Sequence, residues 1–246
     1  MRKLVQTLRQ KAGGDKRMEG DVTHRVSVSA GEGWSKRNFG FLQRVALPAI
    51  FTPRRHTYSS RVFPTPAAGK LRLTWIGHAS FLVQTERHNV LVDPNFAMWL
   101  GFLKRLRKPG SRSSGCRASI AVLITHAHFD HLNIRSLRAI GTDIPVVVPG
   151  GVAKLLRRRG FTEVHELDYW ESFKPGGDLE IRLTPTQHWG ARFLHDTHRR
   201  FGAYLIRQGA RQVFHCGDSV PDGFTEIGER AGKIDVALMP IGRMKT

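Results

Sequence analysis

Ile120-Ala121-Val122-Leu123-Ile124-Thr125-His126-Ala127-His128-Phe129-Asp130-His131 is the stretch on which the reading of this chain turns. Five apolar, mostly β-branched residues run without a polar break, the signature of a strand buried on both faces. Three imidazoles and one carboxylate then crowd into the six positions 126–131. Imidazole and carboxylate are the donor types that suit zinc and related divalent ions, and ligands at a strand end are carried by a rigid element. The competing reading is a hydrogen-bonded surface cluster of histidines.

Working outward, short β-rich runs at 71–76, 80–85 and 89–92 precede the quoted strand and predict neighbours in one sheet. After His131 the apolar spacing lengthens at Leu132, Ile134, Leu137 and Ile140, which predicts a helix. A strand at 145–148 and a helix at 152–159 continue the alternation. A second series of strands is expected at 163–167, 179–183, 203–207, 212–215 and 234–239, with a helix at 224–230. The pattern is α/β with two strand clusters. A metal site needs donors from elsewhere in the chain. His188, in Thr184-Pro185-Thr186-Gln187-His188-Trp189, and Asp218, in Phe214-His215-Cys216-Gly217-Asp218, follow the same strand-end logic.

The chain has 246 residues and a formal charge of +19. Residues 1–70 hold fourteen Lys/Arg against four Asp/Glu, and lack sustained periodicity. They read as a basic, partly ordered extension with one short helix, followed by a domain over 71–246. Such a field favours anionic partners, or else forms a solvated basic surface; the absence of an RNA-recognition motif makes nucleic acid the weaker expectation. The mixed apolar and basic segment 39–51 suits either an anionic membrane surface or packing on the domain, and Pro48 opposes a continuous helix through it. Cys116 and Cys216 form no metal or disulfide pattern. With no span of about 18 apolar residues and no leader-like apolar run, the expected setting is cytoplasmic, peripheral at most to the inner membrane surface.

Taken together, Trp75-Ile76-Gly77-His78-Ala79, Leu91-Val92-Asp93-Pro94, the Thr125–His131 run, Gln187-His188-Trp189, Cys216-Gly217-Asp218 and Met239-Pro240-Ile241-Gly242 resemble, in order, the motifs of the metallo-β-lactamase superfamily. Within it the chain is similar to the branch of N-acylphosphatidylethanolamine-hydrolysing phospholipases D, with the ascorbate-6-phosphate lactonases next. The resemblance implies an αβ/βα four-layer sandwich and two zinc ions. His126, His128 and His188 would hold the first, Asp130 and His131 the second, with Asp218 bridging; Asp130 and Asp218 are thereby the expected catalytic carboxylates. Asp93 and His78 would orient the ligands from behind, or serve as structural turns. Two such cations would share a hydroxide that attacks a phosphodiester or ester, with that of an N-acylated phospholipid as the leading expectation; a lactonase, a nuclease or a metal- and anion-binding remnant are the alternatives. The segment 189–198, with Arg192, Phe193, His195, Asp196 and His198, is expected to form a substrate-contacting loop, with Trp189 packing or lining an apolar pocket. The family pattern continues past its Pro-Ile-Gly motif to a final histidine, whereas this sequence stops at Thr246. The second half is therefore expected to be incomplete at the C-terminus and less stable than a full-length relative. A shortened reading frame, replacement of the last ligand by His195 or His215, or a remnant that binds without catalysis would each account for it.

Overall fold

The structure is a computed structural model, and it describes Gln43 and residues 47–51, 63–100, 103–105, 108–111, 113–116, 120–186, 198–218 and 224–240. The chain divides into two compact units, residues 1–42 and 43–246; the first, including the expected N-terminal helix, lies outside the described residues.

Thirteen strands and four α-helices are present among the described residues. In chain order they are α1 (Leu47–Phe51), β1 (Arg72–Gly77), β2 (Ser80–Gln84), β3 (Asn89–Val92), β4 (Trp99–Leu100), β5 (Leu103–Lys104), β6 (Ala121–Leu123), α2 (Ile134–Ile140), β7 (Val146–Pro149) and α3 (Ala153–Arg157). Then come β8 (Val164–Leu167), β9 (Ser172–Gly176), β10 (Leu179–Thr184), β11 (Ala203–Gln208), β12 (Arg211–His215), α4 (Phe224–Ala231) and β13 (Val236–Leu238). One sheet runs β1-β2-β3-β6-β7-β8, the second β13-β12-β11-β10-β9, and β4-β5 form a small ribbon. In the first sheet β3, β6, β7 and β8 are parallel, while β1, β2 and β3 pair antiparallel.

Strand periodicity assembles these elements into layers. Val90, Val92, Ala121, Leu123 and Val147 point to one face and meet Leu179, Ile181, Leu183, Tyr204, Ile206 and Val213 of the second sheet. The alternate residues Leu91, Val122, Ile124, Val146 and Val148 point the other way, against Leu137, Ile140, Ala153 and Leu156 of α2 and α3. On the far side of the second sheet, Leu205 and Phe214 receive Ile227 of α4. The order helices, sheet, sheet, helix is the expected αβ/βα four-layer sandwich. Each fully buried Leu or Ile stabilises it by about 1.5–3 kcal/mol, which is why the central strands read as unbroken apolar runs. The buried Tyr204 hydroxyl ties the layers, donating between Ile124 O at 3.0 Å and Val147 O at 3.2 Å.

Helix α2 starts where Asn133 accepts a hydrogen bond from Ser136 N at 2.9 Å, an N-cap that fixes the exit of the chain from the 126–131 loop. In α1, Pro48 occupies the first turn, where no helical N–H is lost. No helix among the described residues is long and apolar enough to cross a membrane.

Candidate metal centre

Four chain segments deliver polar residues to one edge of the sandwich. The β1–β2 turn carries His78, the end of β3 carries Asp93, the loop after β6 carries Thr125–His131, and the turn after β12 carries Asp218. Their convergence follows from topology: β3 and β6 are parallel, so their C-terminal ends coincide, and β2 begins opposite the end of β3, with Phe81 paired to Val92. Gly202 N donates to Thr125 O at 3.0 Å and joins the second sheet to the same edge.

Asp93 organises the centre from beneath. It is fully buried and sits in the left-handed region at φ 44, which an aspartate tolerates better than most side chains. Its Oδ1 accepts from Thr125 N at 2.8 Å, and its Oδ2 accepts from Thr125 Oγ1 at 2.6 Å and from His131 Nδ1 at 2.7 Å. The Thr125 hydroxyl has one proton, which it donates in its hydrogen bond to Asp93. The contact of Thr125 Oγ1 with His126 Nδ1 at 2.9 Å must therefore be donated by the ring. Both histidines thus carry a proton on Nδ1, which leaves Nε2 as the atom each would present to a metal.

On that side His126 Nε2 lies 2.8 Å from His128 Nδ1, two ring nitrogens converging on one point. Beside them His78, Asp130, His131 and Asp218 each offer a donor atom, all within 4.8 Å of one another. His131 Nε2 is 3.1 Å from Asp218 Oδ2 and 3.9 Å from Asp130 Oδ2, while His78 Nε2 meets Asp130 Oδ2 at 2.9 Å. The contact with Asp218 is close but off the hydrogen-bond direction, so His131 Nε2 is a buried polar atom without a hydrogen-bond partner. An orphaned imidazole nitrogen facing two carboxylates is what a divalent cation satisfies, and the donor set fits one.

The electrostatics point the same way. Burial opposes the charged form of His131, but the Asp93 and Asp218 carboxylates outweigh it and bring its pKa up to about 10. Burial would raise Asp130; hydrogen bonding to His78 and the charges of His131 and His78 instead hold it well below the usual carboxylate range. Asp218 is lowered too, its burial overcome by His131. The carboxylates of Asp93, Asp130 and Asp218 thus all lie about the His131 ring. His131 is fully buried, whereas the side chains of His78, Asp130 and Asp218 are 41%, 34% and 34% exposed, so the centre is open to solvent on one side.

The structure therefore brings together His126 with His128, and Asp130, His131 and Asp218 with His78; Asp93 lies behind them. His78 was expected to orient ligands from behind or to serve as a structural turn; it sits in the β1–β2 turn at φ 53, with its Nε2 among the donor atoms. His215 was a candidate replacement ligand; it is instead buried, with both ring nitrogens on backbone groups. His188, Trp189, Arg192, Phe193, His195 and Asp196 lie outside the described residues. His198 is exposed. Thr125 was not singled out by the sequence, although a hydroxyl directly before His126 is the signal that would have found it.

The model of the beta-lactamase superfamily domain matches residues 88–246. The chain belongs to the metallo-β-lactamase superfamily. It is 32% identical over 184 residues to the mitochondrial N-acyl-phosphatidylethanolamine-hydrolyzing phospholipase D of Saccharomyces cerevisiae, covering 69% of this chain and 39% of that protein. It is 30% identical to a UPF0173 protein of Pyrococcus furiosus, covering 72% of each. Among solved structures, the diiron beta-hydroxylase CmlA of Streptomyces venezuelae superposes with a TM-score of 0.55 at 28% identity, over 71% of this chain and 35% of that one. The chain spans about half the length, or less, of the first curated relatives it matches.

Proposed function

We propose that this superfamily member is a metal-dependent hydrolase acting on a phosphodiester or ester, with an N-acylphosphatidylethanolamine-type phospholipid as the leading substrate. The observation that carries the reading is the fully buried Nε2 of His131, which faces the partly open carboxylates of Asp130 and Asp218 at 3.9 and 3.1 Å. Zinc, one ion or two, would be held by His126, His128, Asp130, His131 and Asp218, with His188 and His78 as further donors. A bound divalent ion supplies Lewis acidity and activates water near neutral pH. The chain's own residues do the remaining work. Asp93 and Thr125 lock the tautomers of His131 and His126, and Asp130, paired to His78, holds negative charge beside the open face. Among the described residues, no serine or cysteine stands among the donor atoms of this cluster as a nucleophile.

The yeast relative's name and the +19 charge support an anionic phospholipid, met at a membrane surface. Incubation of the zinc-loaded chain with N-acylphosphatidylethanolamine vesicles should release phosphatidic acid. Hydrolysis of a lactone or of RNA without that release would assign the centre to a different substrate, and metal binding with no hydrolysis would make the chain a binding protein. A diiron centre is a second reading, favoured by the likeness to CmlA and by a nitrogen and oxygen donor set that suits iron as well as zinc. Iron, rather than zinc, in the protein as purified would support it.

A further inference from the structure

His215 ends β12, three residues before Asp218. Its ring is buried edge-on against Phe81, centroids 5.7 Å apart. Nε2 lies 3.1 Å from Ala79 O, and Nδ1 lies 3.2 Å from Gly217 N. A carbonyl only accepts and an amide N–H only donates, so one ring form satisfies both contacts: the neutral imidazole with its proton on Nε2. Burial, which lowers the pKa of this ring, favours the same neutral form.

The two backbone groups belong to turns that deliver the donors of the centre. Ala79 follows His78, whose ring is 5.1 Å from that of His131 and whose Nε2 contacts Asp130. Gly217, at φ 65, precedes Asp218, which lies 3.1 Å from His131 Nε2. The two turns come from different sheets, and among the contacts described the ring of His215 is the bridge between them.

We propose that His215 is a positioning residue of the metal centre: as a two-ended hydrogen-bond bridge it sets the separation of Asp218 from the His78–Asp130 pair. The inference rests on the reading of these groups as metal donors. A side chain that merely filled the core would be replaceable by another flat ring. A positioning residue is replaceable only by a group that donates at one end and accepts at the other.

The test is titration of the full chain with cobalt(II) chloride, followed by visible absorption, in His215→Phe and His215→Gln. The Phe variant should melt cooperatively yet bind cobalt about 10–100-fold more weakly, with a changed ligand-field spectrum, while the Gln variant stays within about threefold of wild type. Wild-type affinity and spectrum in the Phe variant would overturn the proposal. Should that variant not fold, long-range nitrogen–proton correlation spectra of the wild-type chain decide. A neutral ring protonated on Nε2, with Nδ1 shifting when cobalt's diamagnetic substitute zinc is added, is expected; protonation on Nδ1 or no response to zinc would overturn it. A wild-type chain that binds no cobalt would sink the metal reading itself, whereas binding indifferent to His215 would sink this inference alone.

Discussion

At Asp93 both carboxylate oxygens are committed to Thr125 and His131, so its influence on the open face is exerted through the rings of His131 and, by way of Thr125, His126, each held with Nδ1 as donor and Nε2 toward the face. In Asp93→Asn an amide N–H can replace an accepting oxygen, and His131 is released to carry its proton on Nε2, the metal-facing atom. Zinc affinity measured by calorimetric titration should fall about 10–100-fold; an unchanged affinity would show that Asp93 does not set the tautomer. The pH dependence follows from His131. Its pKa in the metal-free chain, up to about 10, lies above the ordinary histidine value of about 6.5. The protonated ring therefore stabilises the metal-free fold fully below about pH 6.5, and that contribution is lost as pH rises through about 10. A cation must displace this proton, so zinc affinity should rise with pH across the same window, with proton uptake by the buffer at pH 7. Titrations in buffers of different ionisation enthalpy measure that release, and its absence would contradict the assignment of His131 as a ligand.

At the scale of the elements, the turn after β12 is built around Gly217, at φ 65, where an added Cβ would lie 3.1 Å from the Thr125 side chain. Gly217→Ala should cost about 1–3 kcal/mol in chemical denaturation through strained backbone and displaced Thr125, and should weaken metal binding with it. Farther from the centre, Glu180 on β10 accepts from Ser172 on β9, Arg182 on its own strand and Arg207 on β11, knitting one end of the second sheet. Burial would raise its pKa, but these three partners hold it at about 2. The stabilisation is present above its unfolded value of about 4.3 and lost as pH falls through about 2. Because Arg207 is half exposed, Glu180→Gln should cost only about 1–2 kcal/mol at pH 7, and nothing below pH 2; equal costs at both pH values would contradict it. These elements differ in how far the sequence disclosed them. β3, β6 and β7 are buried on both faces, and such burial leaves an unbroken apolar run that cannot be mistaken for a loop. β9 carries Ser172, Lys174 and Pro175 because it is an edge strand with one face in water, so neither alternation nor β-propensity marks it. The two-residue strands of the β4–β5 ribbon are too short to have a period. In the centre, the 126–131 run and Asp218 were legible as candidate donors because they stand just past apolar strands. The place of His78 among the donors was not, since it depends on the packing of one turn against a loop some fifty residues away.

For the whole molecule, the two sheets come together over one apolar core, and the loops at one edge of both gather the carboxylates of Asp93, Asp130 and Asp218 in a chain whose net charge is +19. Such a gathering of carboxylates is what a cation site requires and what an anionic substrate alone would not select. The measurement that tests this most directly is the metal content of the purified full chain beside an Asp130→Asn/Asp218→Asn variant, with cooperative melting checked in both. The wild type should carry one to about two equivalents of zinc or iron, falling by about one equivalent or more in a variant that still melts cooperatively. A wild-type chain that stays metal-free after incubation with excess zinc, or a variant that retains its full complement, would contradict it.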